Sequence, residues 1–294
     1  MKRFLLLSVA LTLPGCSRDV ADDQTRAIHS AINQLRRGDP SVRWEAVESL
    51  GKIGSPAVPA RRNSMNGKNV VVRREAARAL ERIGREAKPA LPELMEALRD
   101  HDAVLRIAAA RAILEIGPGA AEAGLSLVDA LNDQNDHVRQ IAAMALGRIG
   151  TPAIAAVPDL IKLLRDESAS VRCGAALALG RFGSGAGEAV PVLIELLAKR
   201  DEPARRWALA ALAELGPAAK DAVPQLIAAV EDADDPLREK AMDALGRIGP
   251  AAAAAVPTLI RALSDPDAPP IADTVQQLGE IDESDLDRAL DIVR

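Results

Sequence analysis

Tyrosine is absent from this chain of 294 residues, and Trp44, Trp207, Phe4 and Phe182 are its only aromatic side chains. With so few stacking faces and a formal net charge of −5, the sequence is a poor match for a nucleic-acid binder, which draws affinity from basic surface and aromatic platforms. Cysteine is limited to Cys16 and Cys173, and histidine to His29, His101 and His137. No Cys-x-x-Cys or His-x-x-x-His pair exists, which excludes the common zinc spacings. A phosphate-cradling glycine motif is also missing. Gly183-Ser184-Gly185-Ala186-Gly187 reads as a widened loop between helices, and Ser184 has no histidine placed to activate it. No cofactor, metal or small-molecule substrate is expected, and the chain reads as a non-enzyme.

Long apolar runs are equally scarce. The stretch Phe4 to Leu13 follows Lys2 and Arg3 and precedes Pro14-Gly15-Cys16. It is too short to span a bilayer as a mature helix and has the charged, apolar and small-residue layout of a secretory signal. It resembles a bacterial lipoprotein signal through Leu13, Gly15 and Cys16, with Pro14 departing from that pattern. The resemblance implies that residues 1–15 are removed and that a diacylated Cys16 anchors an exported protein in the cell envelope, as a periplasmic or outer-membrane lipoprotein. Ser17 favours outer-membrane sorting on the same resemblance. The alternative is a simple secretory leader without lipid. If Cys16 carries lipid, Cys173 is the remaining thiol and no intrachain disulfide can form. Cys173 shares its position with Trp44, Arg74, Ile107, Gln140, Arg206 and Glu239, so it reads as a filler on a partly exposed slot.

What the chain does have is a period of 33 residues. Arg73, Arg106, Arg139, Arg172, Arg205 and Arg238 keep it, and Arg43 leads one shortened step earlier. Gly84, Gly117, Gly150, Gly183, Gly216 and Gly249 follow in register, as do Pro92, Pro158, Pro191, Pro224 and Pro257. A period of this size means stacked supersecondary units. In one unit Asn135 is an N-cap, with Asp39, Asn69, Asp102, Ser168, Asp201, Asp234 and Asp267 as its equivalents. Val138, Ile141, Ala142, Ala145, Leu146 and Ile149 form the apolar stripe of a first helix, which Gly150 stops. Pro158 opens a second helix bearing Leu160, Ile161, Leu163 and Leu164. Asp166 stands six residues before Arg172, a spacing shared by Asp100–Arg106, Asp133–Arg139 and Asp232–Arg238. The expectation is an Asp–Arg ladder in which each carboxylate binds the arginine that follows it.

Val138 to Gly150 and Ala156 to Leu164 resemble HEAT repeats of the short, phycobilisome-lyase-like type, a likeness that extends over residues 39 to about 282. Ankyrin repeats share the period, but their Thr-Pro-Leu-His signature is missing, as are the His-Glu pairs of HEAT-like di-iron hydroxylases. The resemblance implies an all-α fold, an α-solenoid of stacked antiparallel helix pairs. It is divided as a signal peptide (1–15), an N-terminal linker and capping helix (16–38), seven repeats (39–265), and a C-terminal partial repeat with an acidic cap (266–294). The function expected is a non-catalytic, monomeric scaffold of the cell envelope that holds an unidentified protein partner on its second helices. Glu96, Asp129, Lys162, Glu195 and Arg261, which share one repeat slot, are the candidate contacts. A chaperone-like or lyase-subunit role on a partner protein is the alternative, and nucleic-acid binding is disfavoured.

The first repeat breaks the pattern. Its second helix carries Arg61, Arg62, Ser64 and Met65 where others carry Leu, Ile, Ala or Leu, and Leu. It is expected to lose its apolar face and to end early at Asn66-Gly67. Arg61, Arg62, Lys68, Arg74 and Arg78 then form a candidate basic patch, suited to anionic headgroups beside a lipid anchor. The alternative is a degenerate terminal repeat.

Overall fold

The computed structural model of the protein describes residues 16–198, 202–232 and 235–263. The leader at 1–15, the cap positions Asp201, Asp234 and Asp267, and the partial repeat at 266–294 lie outside these residues. Two compact units divide the chain, Met1–Ile116 and Gly117–Arg294. The first holds α1 (Cys16–Arg37), α2 (Pro40–Ile53), α3 (Val58–Met65), α4 (Val70–Ile83), α5 (Leu91–Ala97) and α6 (Ala103–Ile116). The second holds α7 (Gly124–Ala130), α8 (Asp136–Ile149), α9 (Val157–Leu163), α10 (Ala169–Arg181), α11 (Val190–Leu197), α12 (Glu202–Leu215), α13 (Val223–Glu231), α14 (Arg238–Ile248) and α15 (Val256–Leu263). After α1, long first helices alternate with short second helices, and the described residues contain no strand. The fold is all-α, an α-solenoid of repeated helix pairs. No described helix is long and apolar enough to cross a membrane.

Local chemistry explains the helix ends. The Asn135 side chain accepts from the His137 and Val138 N–H groups at 3.0 and 3.3 Å, satisfying donors that a helix start leaves without partners. Asp39 and Asn69 cap α2 and α4 the same way, and Asp102 accepts from Leu105 N–H at 2.8 Å. Ser168 does not cap with its side chain; its hydroxyl bonds Asp136 and Ser170 instead. At the far end of α8, Gly150 takes φ 78° and ψ −147°, a region essentially reserved for glycine. A 3-10 turn, Thr151–Ala156, then leads into α9 with Pro158 in its first turn. The glycine-rich segment is the same kind of turn, Gly183–Ala189, as long as Gly84–Ala90 and Gly216–Ala222, so it is not widened.

The core is built from small and branched side chains in register. Val138, Ile141, Ala142, Ala145, Leu146 and Ile149 are all buried on α8. Each second helix from α5 onward places a leucine in one slot, and Leu94, Leu127, Leu160, Leu193, Leu226 and Leu259 are each 0% exposed. Burial of one such side chain supplies about 1.5–3 kcal/mol, so stability accumulates repeat by repeat. First helices pack closely where glycine allows it: a Cβ on Gly147 would stand 2.6 Å from Ala178 Cα. In the first unit, α1 caps the stack by burying Ile28, Ala31 and Leu35 against Ala46, Val47 and Leu50.

The second helix of the first repeat differs from expectation. α3 runs for 8 residues against 7 in α5 and α9, so Asn66-Gly67 end it at the ordinary point. Its inward face persists as Val58, Arg61, Ser64 and Met65, all buried, because packing against α4 fixes which positions point in regardless of their polarity.

Candidate protein-binding surface

The repeated arginines brace the turns between successive repeats within each unit. Arg139 donates through Nη1 to the Asp133 carbonyl at 2.9 Å and forks onto the Asp166 carboxylate through Nε and Nη2 at 2.9 and 2.8 Å. In the first unit Arg73 bonds the Gly67 carbonyl at 3.0 Å and the Asp100 carboxylate at 2.8 Å. The carboxylate partner is therefore the arginine 27 residues earlier, which corrects the expected pairing. The arginine six residues later donates to the aspartate's backbone carbonyl, as Arg106 does with Asp100 and Arg172 with Asp166, while Arg43 bonds the Gly38 carbonyl. The reason is local. Each aspartate also accepts the N–H two residues on, as Asp100, Asp133 and Asp166 do from Asp102, Asn135 and Ser168. In Asp100 and Asp166 the carboxylate so held meets the preceding first helix.

Arg139 and Asp166 are each only 10% exposed, where charge-assisted bonds are worth about 1.5–3 kcal/mol. Burial alone would raise the Asp166 carboxyl. The bonds from Arg139 and Ser168 N–H outweigh it and hold the group below its ordinary range. The last step is displaced: Arg205 pairs with Asp235 rather than Asp232, and Arg238 donates to the Val230 carbonyl at 2.9 Å. Asp232 forms the C-terminal cap of α13. All these side chains serve the framework.

The slot of Glu96, Asp129, Lys162, Glu195 and Arg261 lies exposed on the second helices. Lys162 pairs with Asp159 at 2.8 Å, Glu195 with Arg165 at 2.6 Å, and Arg261 with Glu231 at 2.7 Å. Ala228 fills the same slot on α13. The framework repeats while this row varies, acidic at Glu96, Asp129 and Glu195, basic at Lys162 and Arg261, and uncharged at Ala228.

A groove runs beside that row at the same repeat position in each unit. In the first it is about 390 Å³, lined by Met65, Asn66, Arg73, Glu93, Glu96, Ala97 and Asp100. In the second it is about 260 Å³, lined at the equivalent positions by Leu197, Ala198, Arg205, Gln225, Ala228, Ala229 and Asp232. The first is acidic and the second mainly apolar. Glu93 accepts Arg62 through Oε1 at 2.8 Å, and its buried Oε2 has no hydrogen-bond partner. Sequence reasoning missed Glu93; its signal is a carboxylate that becomes Gln225 in the matching place.

The expected basic patch is not formed. Arg61 is fully buried, and Arg62, Arg74 and Arg78 are spent on Glu93, Asp102 and Glu75, leaving Lys68 exposed. Three of the five cations are thus neutralised by carboxylates from the same unit. Beside them, α2, α4 and α6 enclose a further groove of about 730 Å³ containing Trp44, Glu48, Arg78, Glu81, Arg82 and Arg111. Trp44 is 61% exposed, and burial raises the Glu81 carboxyl despite nearby Arg111. Cys173 is half-buried, and burial pushes its thiol up, away from the thiolate a nucleophile needs. Among the described residues no cluster of three His, Cys, Asp or Glu could hold a metal ion.

A family model for HEAT repeats matches residues 28–114, 124–213 and 190–279. Among solved structures, an engineered protein is 25% identical with a TM-score of 0.62, covering 90% of this chain and 78% of its own. A designed armadillo repeat protein is 24% identical with a TM-score of 0.52, covering 65% of this chain and 100% of its own. Kap121p bound to Nup53p is 19% identical with a TM-score of 0.66, and the match covers 93% of this chain but 35% of Kap121p. The last two likenesses concern fold alone. No curated protein matches the sequence. Matched by that family model over most of its length and built from its helix pairs, the chain belongs to the HEAT-repeat proteins.

Proposed function

We propose that this protein is a non-catalytic scaffold of the bacterial cell envelope, exported and lipid-anchored through Cys16, whose second helices hold a protein partner. The observation that carries the reading is the contrast between a constant framework and a variable exposed row. Buried Leu positions and mostly half-buried Arg, Asp and Gly positions recur, whereas Glu96, Asp129, Lys162, Glu195, Ala228 and Arg261 differ in charge. A surface that varies over a repeated core is suited to recognising one extended partner rather than to a single reaction. The paired grooves support it: the acidic one fits a basic side chain of the partner, and the apolar one fits an aliphatic side chain. The envelope location rests on the run Lys2 to Cys16, and the short phycobilisome-lyase-like repeat type rests on Val138 to Gly150 and Ala156 to Leu164.

In-cell crosslinking with mass spectrometry of the membrane fraction tests both parts. The expected result is one envelope protein crosslinked to second-helix peptides, with Cys16 acylated. An intact leader together with cytoplasmic crosslinks would overturn the envelope assignment.

A further inference from the structure

Arg61 is a second-helix residue whose chemistry contradicts its place. It occupies the slot of Leu94, Leu127, Leu160, Leu193, Leu226 and Leu259, is 0% exposed like them, and has no hydrogen-bond partner for Nε, Nη1 or Nη2. A guanidinium keeps its charge at neutral pH, and an unpaired buried charge opposes the packing that buries it. Arg61 lines neither of the two grooves described above in its unit, so neither offers it a counter-ion site. The tension can be relieved by moving the helix. α3 is short, with Gly54 just before its entry turn and Gly67 just after its end, and it packs mainly on α4 and on the turn Gly84–Ala90. Holding it in place are the burial of Val58 and Met65 and the clamp from Arg62 to Glu93 of α5 at 2.8 Å.

We propose that α3 is a displaceable helix, poised between the docked state and one in which Arg61 reaches water and the acidic groove beside Glu93 opens. Release of α3 frees both Glu93 oxygens and removes the Met65, Asn66 and Gly67 wall of the groove. A basic side chain that takes Glu93 from Arg62 releases the clamp and shifts the population toward the open state. This regulatory role rests on the second helices being the binding face; the displacement of α3 itself does not.

Hydrogen exchange of the full chain, without any partner, tests the displacement alone. Peptides covering residues 58–66 are expected to exchange at least tenfold faster than those covering 91–98, the equivalent stretch of α5. Arg61→Leu restores the slot's usual residue and should slow residues 58–66 by tenfold or more while leaving 223–231 unchanged. Arg62→Gln should speed the same peptide. Equal protection of the two helices in the unaltered protein, or no response to Arg61→Leu, overturns the proposal even if a partner is found on the second helices.

Discussion

At the scale of single residues, Asp102 shows how one carboxylate joins two helices. It caps α6 through Leu105 N–H and accepts a two-pronged fork from Arg74 of α4. The Arg74 bond, more than any other contact, pulls its carboxyl from an ordinary 3.8 to about 2. Because folding lowers this pKa, the stabilisation is complete above pH 3.8 and is lost as pH falls through 2. Asp102→Asn should keep the cap, since Asn69 and Asn135 serve that role in other repeats, and lose the ion pair. Denaturant titration should show a loss of about 1 kcal/mol at pH 7, the pair being partly solvated, with the gap to the unaltered protein closing toward pH 2. A constant gap across that range would contradict the assignment. The ladder arginines were legible in the sequence as framework, but their partners were not. In a 33-residue repeat, six residues before one arginine and 27 after the previous one describe the same aspartate. Only the direction of the carboxylate, set by the N–H two residues on, separates them.

At the scale of elements, the helix boundaries follow from residues that solve backbone problems, which is why they could be read directly. Asn135 supplies acceptors, Gly150 supplies a conformation, and Pro158 gives up a donor that had no partner. The fate of α3 was not legible in the same way. A rule that arginine seeks water places Arg61 outside, whereas alignment with the leucine slot places it inside, and packing decided for the slot. The same dominance of packing makes Gly147 a sharp test of how α8 meets α10. Gly147→Ala would drive a methyl to 2.6 Å from the Ala178 backbone, forcing the two helices apart despite the better helix propensity of alanine. Thermal unfolding should show a net loss of about 1–3 kcal/mol. A stabilised variant would mean that α8 and α10 are not in such close contact.

At the scale of the whole molecule, seven buried leucine slots, six of them filled by leucine, and the repeating arginines leave the chain's individuality on its exposed second-helix row. Trp44 is the exception, an exposed aromatic beside a groove of the first unit that periodicity gave no reason to single out. The central claim is that the second helices, not the first, hold a partner. Its most direct test is a photo-crosslinking side chain placed in living cells at Glu195 on α11, and separately at Arg181 on α10, both exposed. A discrete adduct with one protein from Glu195, absent from Arg181 and weakened by Lys162→Glu, is the expected result. Adducts from Arg181 alone, or a diffuse smear from both positions, would contradict the assignment of the binding face.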